Sequence, residues 1–161
     1  MFAFIRKARA VAAFAALVAF CGSMQAQTPN GSSASSIQEK QLIQPAQLNS
    51  LLAAKSGVKP LMFQVGSRML FEQAHIAGSE YVGPGSQQAG LDQLKKRVAF
   101  LSKDKAIVLY CGCCPWDRCP NVAPAFKLLQ GMGFTHVQVL YIAGNLGSDW
   151  VEKGYPVERG H

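Results

Sequence analysis

Four of the five cysteines in this chain of 161 residues fall within nine positions, Cys111, Cys113, Cys114 and Cys119, in the segment CGCCPWDRCPN. Disulfides that staple a scaffold join distant elements, and a cluster this tight cannot, so it points to a local chemical site. A cysteine whose thiolate is stabilised there is a nucleophile or a sulfur carrier. A second chemistry is redox: Cys114 or Cys113 pairs with Cys119 inside the loop and leaves Cys111 as the reactive thiol. Four thiolates also suit a tetrahedral ion, but structural zinc draws paired ligands from separate segments, and adjacent Cys113 and Cys114 fit one small ion poorly. No metal and no bound cofactor are therefore expected. Arg118 either supplies charge and directed hydrogen bonds to an oxyanion, or is solvated or paired with Asp117. Trp116 is a pocket wall or a rigid apolar plug.

The elements that position this loop follow from apolar periodicity. Ala106–Tyr110 (AIVLY) is continuous, β-branched and too short for a helix, which predicts a buried strand. Behind the loop, Val122, Ala125, Phe126, Leu129 and Met132 form a helical stripe closed by Gly131 and Gly133. The cysteines thus leave the carboxyl end of an expected central strand and run into a helix start, where backbone N–H groups can converge on a thiolate or an anion and where open α/β sheets bind ligands. A short helix is predicted over Pro45–Ser56, strands over Leu61–Val65 and Val137–Tyr141, and a helical face at Leu91, Leu94, Val98 and Leu101. The alternation predicts an α/β domain with a largely parallel central sheet flanked by helices.

Length allows one domain with a real core. Residues 1–26 read as a secretory signal: Arg6, Lys7 and Arg9, then an apolar run from Ala10 to Phe20, then small and polar residues. The run is shorter than the ~20 residues that span a bilayer, so no membrane association is expected after cleavage. Cys21 before Gly22 and Ser23 offers a lipoprotein alternative, against which Phe20 stands. Residues 27–41 are polar and small and read as a flexible linker, and the domain is expected over 42–161. Without the signal, 13 Lys and Arg face 9 Asp and Glu, scattered except at Lys95, Lys96 and Arg97, so no nucleic-acid partner is expected. The expected location is periplasmic or secreted.

Three segments in order resemble the rhodanese-like domain family over roughly Leu42–Val157. FQVGSRMLFEQAHIAGSEYV resembles the family's Asp-Val-Arg followed by Gly-His-Ile-Pro-Gly-Ala, KAIVLYCGCCPWDRCPN its catalytic strand and loop, and AGNLGSDWVEKGYPV its closing Trp and Gly-Tyr-Pro-Val. The resemblance implies a cysteine that carries sulfane sulfur as a persulfide, taken from a small sulfur-containing anion such as thiosulfate and passed to a thiol or other thiophilic acceptor. It implies Cys111 as the nucleophile, with Cys113 the alternative, because Arg118 lies seven positions after Cys111 but five after Cys113. Gly112, Cys113, Cys114, Trp116 and Arg118 would then hold the anion or persulfide, and Cys113, Cys114 and Cys119 would resolve it or form a disulfide. The resemblance also implies a structural role for His75, and packing roles are read for Trp150 and Tyr155; His136 and His161 have no evident catalytic partner. The departures are Gln64 for Asp, Gly66 for Arg, Ala74 for Gly, Ala77 for Pro, and two extra residues between Gly144 and Trp150. A non-catalytic binding or redox-sensing module is the alternative function.

Overall fold

The computed structural model describes Met1 and residues 37–160, the latter forming a packed unit. The expected signal segment, Cys21, most of the linker and His161 lie outside the described residues. In chain order the elements are β1 (Leu42–Ile43), α1 (Pro45–Ala53), β2 (Leu61–Gln64), α2 (Arg68–Gln73), β3 (His75–Ile76) and β4 (Glu80–Tyr81). They continue with α3 (Gln88–Val98), β5 (Ile107–Tyr110), α4 (Val122–Gly131), β6 (Val137–Leu140) and β7 (Val157–Glu158). The strands and helices predicted from periodicity are present with shifted ends. The two-residue strands and the six-residue α2 are too short to show a period, and periodicity does not predict them.

Five strands form a parallel sheet in the order β1-β6-β5-β2-β4, and β3 pairs antiparallel with β7 in a separate ribbon. The expected α/β fold with a parallel central sheet is thus observed. β5 is central, with Ile107 opposite Leu61 on one side and Val137 on the other. Its side chains alternate between two cores. Ile107 and Leu109 pack with Leu94 and Val98 of α3 and with Val122, Ala125, Phe126 and Leu129 of α4, whereas Val108 and Tyr110 pack with Leu48 of α1, Ile76 and Trp150. All four residues of β5 are buried, each contributing ~1.5–3 kcal/mol of transfer free energy if apolar. That makes β5 a firm base for the loop that leaves its carboxyl end.

Ile37 is also buried in the α3/α4 core, and Glu39–Gln41 form a 3-10 turn. The packed unit therefore takes in residues that composition assigns to the linker, because one apolar side chain among polar neighbours suffices to dock the segment. At the other end, Gly147–Val151 form a wide turn closed by Glu152 N–H donating to Gly147 O, where the third motif departs from its family pattern. The turn drives Trp150 into the core with its indole N–H donating to Pro156 O at 2.9 Å and its ring edge against Tyr155. Among the described residues no helix is long and apolar enough to cross a membrane.

Tyr110 ties the sheet to β3: its hydroxyl accepts from Ile76 N–H at 3.2 Å and pairs with Ser79 Oγ at 2.7 Å, and burial pushes its pKa up to about 12. Tyr110→Phe would leave the buried Ile76 N–H without its partner. The expected loss is ~1–3 kcal/mol of stability, read as an earlier denaturant midpoint. An unchanged midpoint would show that another group replaces the hydroxyl.

A candidate thiol site at the end of the central strand

Cys111 directly follows β5 and is 3 % exposed. Gln64, at the end of the adjacent β2, donates from Nε2 to the Cys111 carbonyl at 3.1 Å and so pins the backbone where the strand ends. Gly66 makes room for the nucleophile, since a Cβ there would lie 2.8 Å from Cys111 O and 2.9 Å from its Sγ. The chain then reverses through Gly112 at φ +88°, a conformation that favours glycine. Gly112 O accepts from Leu146 N–H at 2.9 Å, joining the cysteine loop to the loop that follows β6.

The thiol is held from the helix side by Asn121, which precedes α4. Asn121 Oδ1 accepts from Ser86 N–H at 3.0 Å and from Ser86 Oγ at 2.7 Å. Those donors fix the amide orientation and turn Nδ2 toward Cys111 Sγ, to which it donates at 3.4 Å. Cys111 Sγ is 3.2 Å from Cys113 Sγ, which is 3.1 Å from Cys114 Sγ. Cys119, buried, completes a group in which the sulfurs of Cys111, Cys113 and Cys119 lie within 4.8 Å of one another. A disulfide needs about 2.05 Å between sulfurs, so these are contacts among thiols. Three such sulfurs also form a donor set that a soft ion can bridge, at the expense of a free nucleophile.

The electrostatics single out one member of the cluster. The Cys111 pKa is lowered to about 6, chiefly by the Cys119 thiol acting as donor, against the opposing effect of burial, and further by Cys113 N–H, the Cys113 thiol and the Asn121 amide. The Cys119 thiol is pushed up because it keeps the proton it shares with Cys111 and because it is buried. Burial and the Cys114 and Cys111 sulfurs push Cys113 up as well. The cluster therefore holds its first negative charge on Cys111.

This asymmetry sets a pH dependence with a definite sign. Only the thiolate attacks, so a lowered pKa moves the onset of reactivity down the pH scale. Alkylation of Cys111 by the neutral reagent iodoacetamide, followed on its own peptide, is expected to rise through about pH 6 and to level off near neutrality. An ordinary cysteine is still gaining at its usual pKa of ~8.5, and a midpoint there would remove the case for an activated Cys111.

A cavity of about 350 Å³ opens over Cys111, Gly112 and Cys113, with Gln64, Gln73, Asn145, Leu70, Leu146 and Val151 among its walls. Of the expected site residues it brings together those three and leaves others out. Arg118 is exposed at the end of a 3-10 turn, Trp116–Arg118; it lines no part of this cavity and forms no ion pair with Asp117 among the described residues. Trp116 packs on the α3/α4 core and tilts against Tyr141, which makes it a plug and not a cavity wall. Cys114 also packs on that core, with its sulfur against Cys113.

The expected ring of loop amides is likewise reduced. Trp116 N–H donates to Ile142 O, Arg118 N–H to Pro115 O and Cys119 N–H to Trp116 O, while Pro115 has none to give. Three loop amides are thus engaged within the fold. Cys113 N–H, ahead of that turn, is directed at Cys111.

His75 is structural, as expected: Nδ1 lies 2.7 Å from Phe71 O and its ring stacks on Phe71 with centroids 3.7 Å apart. His136 bonds to Thr135 Oγ1, away from the cavity. Gln64, Gly66, Asn121 and Leu146 are site residues that sequence reasoning did not assign. Gln64 and Gly66 did stand out as departures from the first motif, and that was the available signal.

A family model described as Rhodanese-like domain matches residues 44–144. Similar solved structures include the rhodanese-like domain of an Anabaena sp protein, determined by NMR, 24 % identical over 74 % of this chain and 79 % of that one, with a TM-score of 0.53. A crystal structure of the same Anabaena protein is 24 % identical over 73 % and 82 % of the two chains, TM-score 0.55. A Bacillus halodurans protein is 22 % identical over 73 % and 75 %, TM-score 0.55. Likeness at these identities speaks to the fold. A search of curated proteins found no significant match.

Proposed function

The chain belongs to the rhodanese-like domain family, and from that membership we propose that it is a sulfurtransferase that carries sulfane sulfur as a persulfide on Cys111 and hands it to a thiol acceptor. The observation that carries this reading is the buried Cys111 sulfur, facing a cavity, with its pKa lowered to about 6 by donors from Cys119, Cys113 and Asn121. In the loading step the thiolate attacks the outer sulfur of the donor. A Cys111 S–S bond forms, the donor's S–S bond breaks, and the donor leaves as a thiolate or as sulfite. In the unloading step an acceptor thiolate attacks the outer sulfur of the persulfide and restores Cys111 as the thiolate. The leader-like N-terminal sequence supports placing this chemistry in the periplasm or outside the cell, where neighbouring thiols need protection or a recycling partner.

A direct test separates carriage from mere modification. Protein loaded with sulfane sulfur and freed of donor is mixed with cyanide, a small thiophile. The expected result is about one equivalent of thiocyanate per Cys111 persulfide, released in a single turnover. Loaded protein that yields no thiocyanate would sink the transfer reading.

The spacing of the sulfurs favours a second reading, a redox-sensing or binding module that closes a disulfide inside the Cys111–Cys119 loop. It requires a reversible pair where transfer requires one free thiolate. The two readings differ on whether a sulfane donor leaves sulfur on Cys111, or mild oxidation instead closes a loop disulfide that reduction reverses while Cys111 gains no sulfur.

A further inference from the structure

The cavity over Cys111 has a chemical character that narrows the donor, and this step rests on the sulfur-carrier reading. We propose that the sulfur donor is an organic persulfide, attacked in its neutral R–S–SH form, whose organic part is uncharged and carries a hydrogen-bond donor group, and not a dianion such as thiosulfate. Among the described residues the cavity wall contains no cationic side chain; its polar side chains other than the thiols are the amides of Gln64, Gln73 and Asn145, set among Leu70, Leu146 and Val151. Arg159 reaches α2 nearby, but its Nε is engaged by the Gln73 carbonyl and it is not part of the wall. A dianion entering this space would lose its water without gaining a counter-charge, and it would approach a sulfur that is itself negative. The loop amides compensate only in part, because those of Trp116, Arg118 and Cys119 are bonded within the fold and that of Cys113 is already directed at the Cys111 sulfur.

Gln64 adds a positive requirement. Its side chain is 0 % exposed, its Nε2 is committed to the Cys111 carbonyl, and its Oε1 has no hydrogen-bond partner. The carbonyl fixes the amide orientation, since a flip would set oxygen against oxygen. A buried acceptor without a partner in a cavity wall is completed by an N–H or O–H from a ligand and opposes an anion. The volume of about 350 Å³ agrees with an organic molecule, at the small end of the ~300–1,000 Å³ typical of such pockets.

Loading then reads Cys111–S⁻ + R–S–SH → Cys111–S–SH + R–S⁻. The S–S bond to R breaks as the new S–S bond forms, the leaving thiolate takes its proton from water, and no outside oxidant or reductant enters.

The test compares matched donors on the full reduced chain, with loading read as mass gained on the Cys111 peptide. The probes are the hydropersulfides of N-acetylcysteine amide and of N-acetylcysteine, which differ in one charge, together with tert-butyl hydropersulfide and thiosulfate. Each rate is divided by the same donor's rate with free cysteine to remove intrinsic reactivity. The amide is expected to load about 10-fold faster than the acid on this scale, with thiosulfate slower again. Gln64→Leu is expected to shrink the ratio of amide to tert-butyl rates by about fivefold, a ratio from which any general loss of folding cancels. Equal or faster loading by the acid or by thiosulfate overturns the proposal while leaving the sulfur carrier intact. An unchanged ratio in Gln64→Leu overturns the part assigned to Gln64. No loading of Cys111 by any of the four overturns the carrier reading and this proposal with it.

Discussion

Replacing Cys111 by Ser is expected to lower sulfur loading by at least ~1,000-fold, down to what the remaining thiols do unaided. A serine hydroxyl has nearly the same size, so the strand end, the Gln64 bond to the Cys111 carbonyl and the Asn121 bridge to Ser86 should all persist. What is lost is the one sulfur that the surrounding donors hold as a thiolate near neutrality. Cys113 is the natural candidate to take over, being exposed and 3.2 Å away. Its pKa, however, is pushed up chiefly by partial burial of the sulfur and by the Cys114 thiol, both of which the substitution leaves in place, so at neutral pH it stays a thiol and a poor nucleophile. Loading measured by intact mass decides the matter: Cys111→Ser that still gains sulfur at the wild-type rate would move the nucleophile to Cys113.

Gly66→Ala is expected to have the next largest effect, because it touches the same sulfur without altering any reactive group. The added methyl would sit 2.8 Å from the Cys111 carbonyl oxygen and 2.9 Å from Sγ, closer than such atoms tolerate. The carbonyl belongs to backbone pinned by Gln64, so the sulfur or the strand end must move. Overpacking of this kind costs about 1–3 kcal/mol. A displaced Sγ also lengthens the 3.4 Å contact with Asn121 Nδ2 and misaligns attack, which together should slow loading ~100-fold. Gly131→Ala is the control: nothing lies within 4 Å of the point its methyl would occupy, and in α4 an alanine should stabilise by ~0.5–1 kcal/mol. Gly66→Ala that loads and melts like the wild type would show that the strand end yields more easily than its bonds imply.

The fold was legible wherever burial is periodic or continuous. Within the run AIVLY, Ile107–Tyr110 became β5 because all four residues are inside, and the stripe Val122, Ala125, Phe126 and Leu129 became the buried face of α4. The ribbon of β3 and β7 and the edge strands β1 and β4 were not legible, since two residues carry no period and their pairing is set by distant partners. The sheet could be inferred; its edges could not.

At the site, the position of Cys111 followed from its place after a buried strand, and the crowding of the cysteines announced a local site. The direction of Arg118 did not follow from its spacing. A residue near a cysteine in sequence faces it only if the loop between them stays open, and here the 3-10 turn from Trp116 to Arg118 closes on itself. Asn121 lay in the same motif but was unassigned, because its role depends on Ser86, 35 positions earlier in the chain. Gln64 looked like a scaffold departure until β2 was placed beside β5, with Gln64 opposite Tyr110 and one residue from the nucleophile's level.

The central claim is that Cys111 is the sulfur-bearing residue, and the most direct measurement is intact mass followed by peptide mapping after exposure to a sulfane donor, with and without prior reduction. A gain of about 32 Da on the peptide position of Cys111 in the reduced protein is the expected result. A gain on Cys113 instead, or no gain together with a two-hydrogen deficit in the loop that reduction reverses, would contradict it.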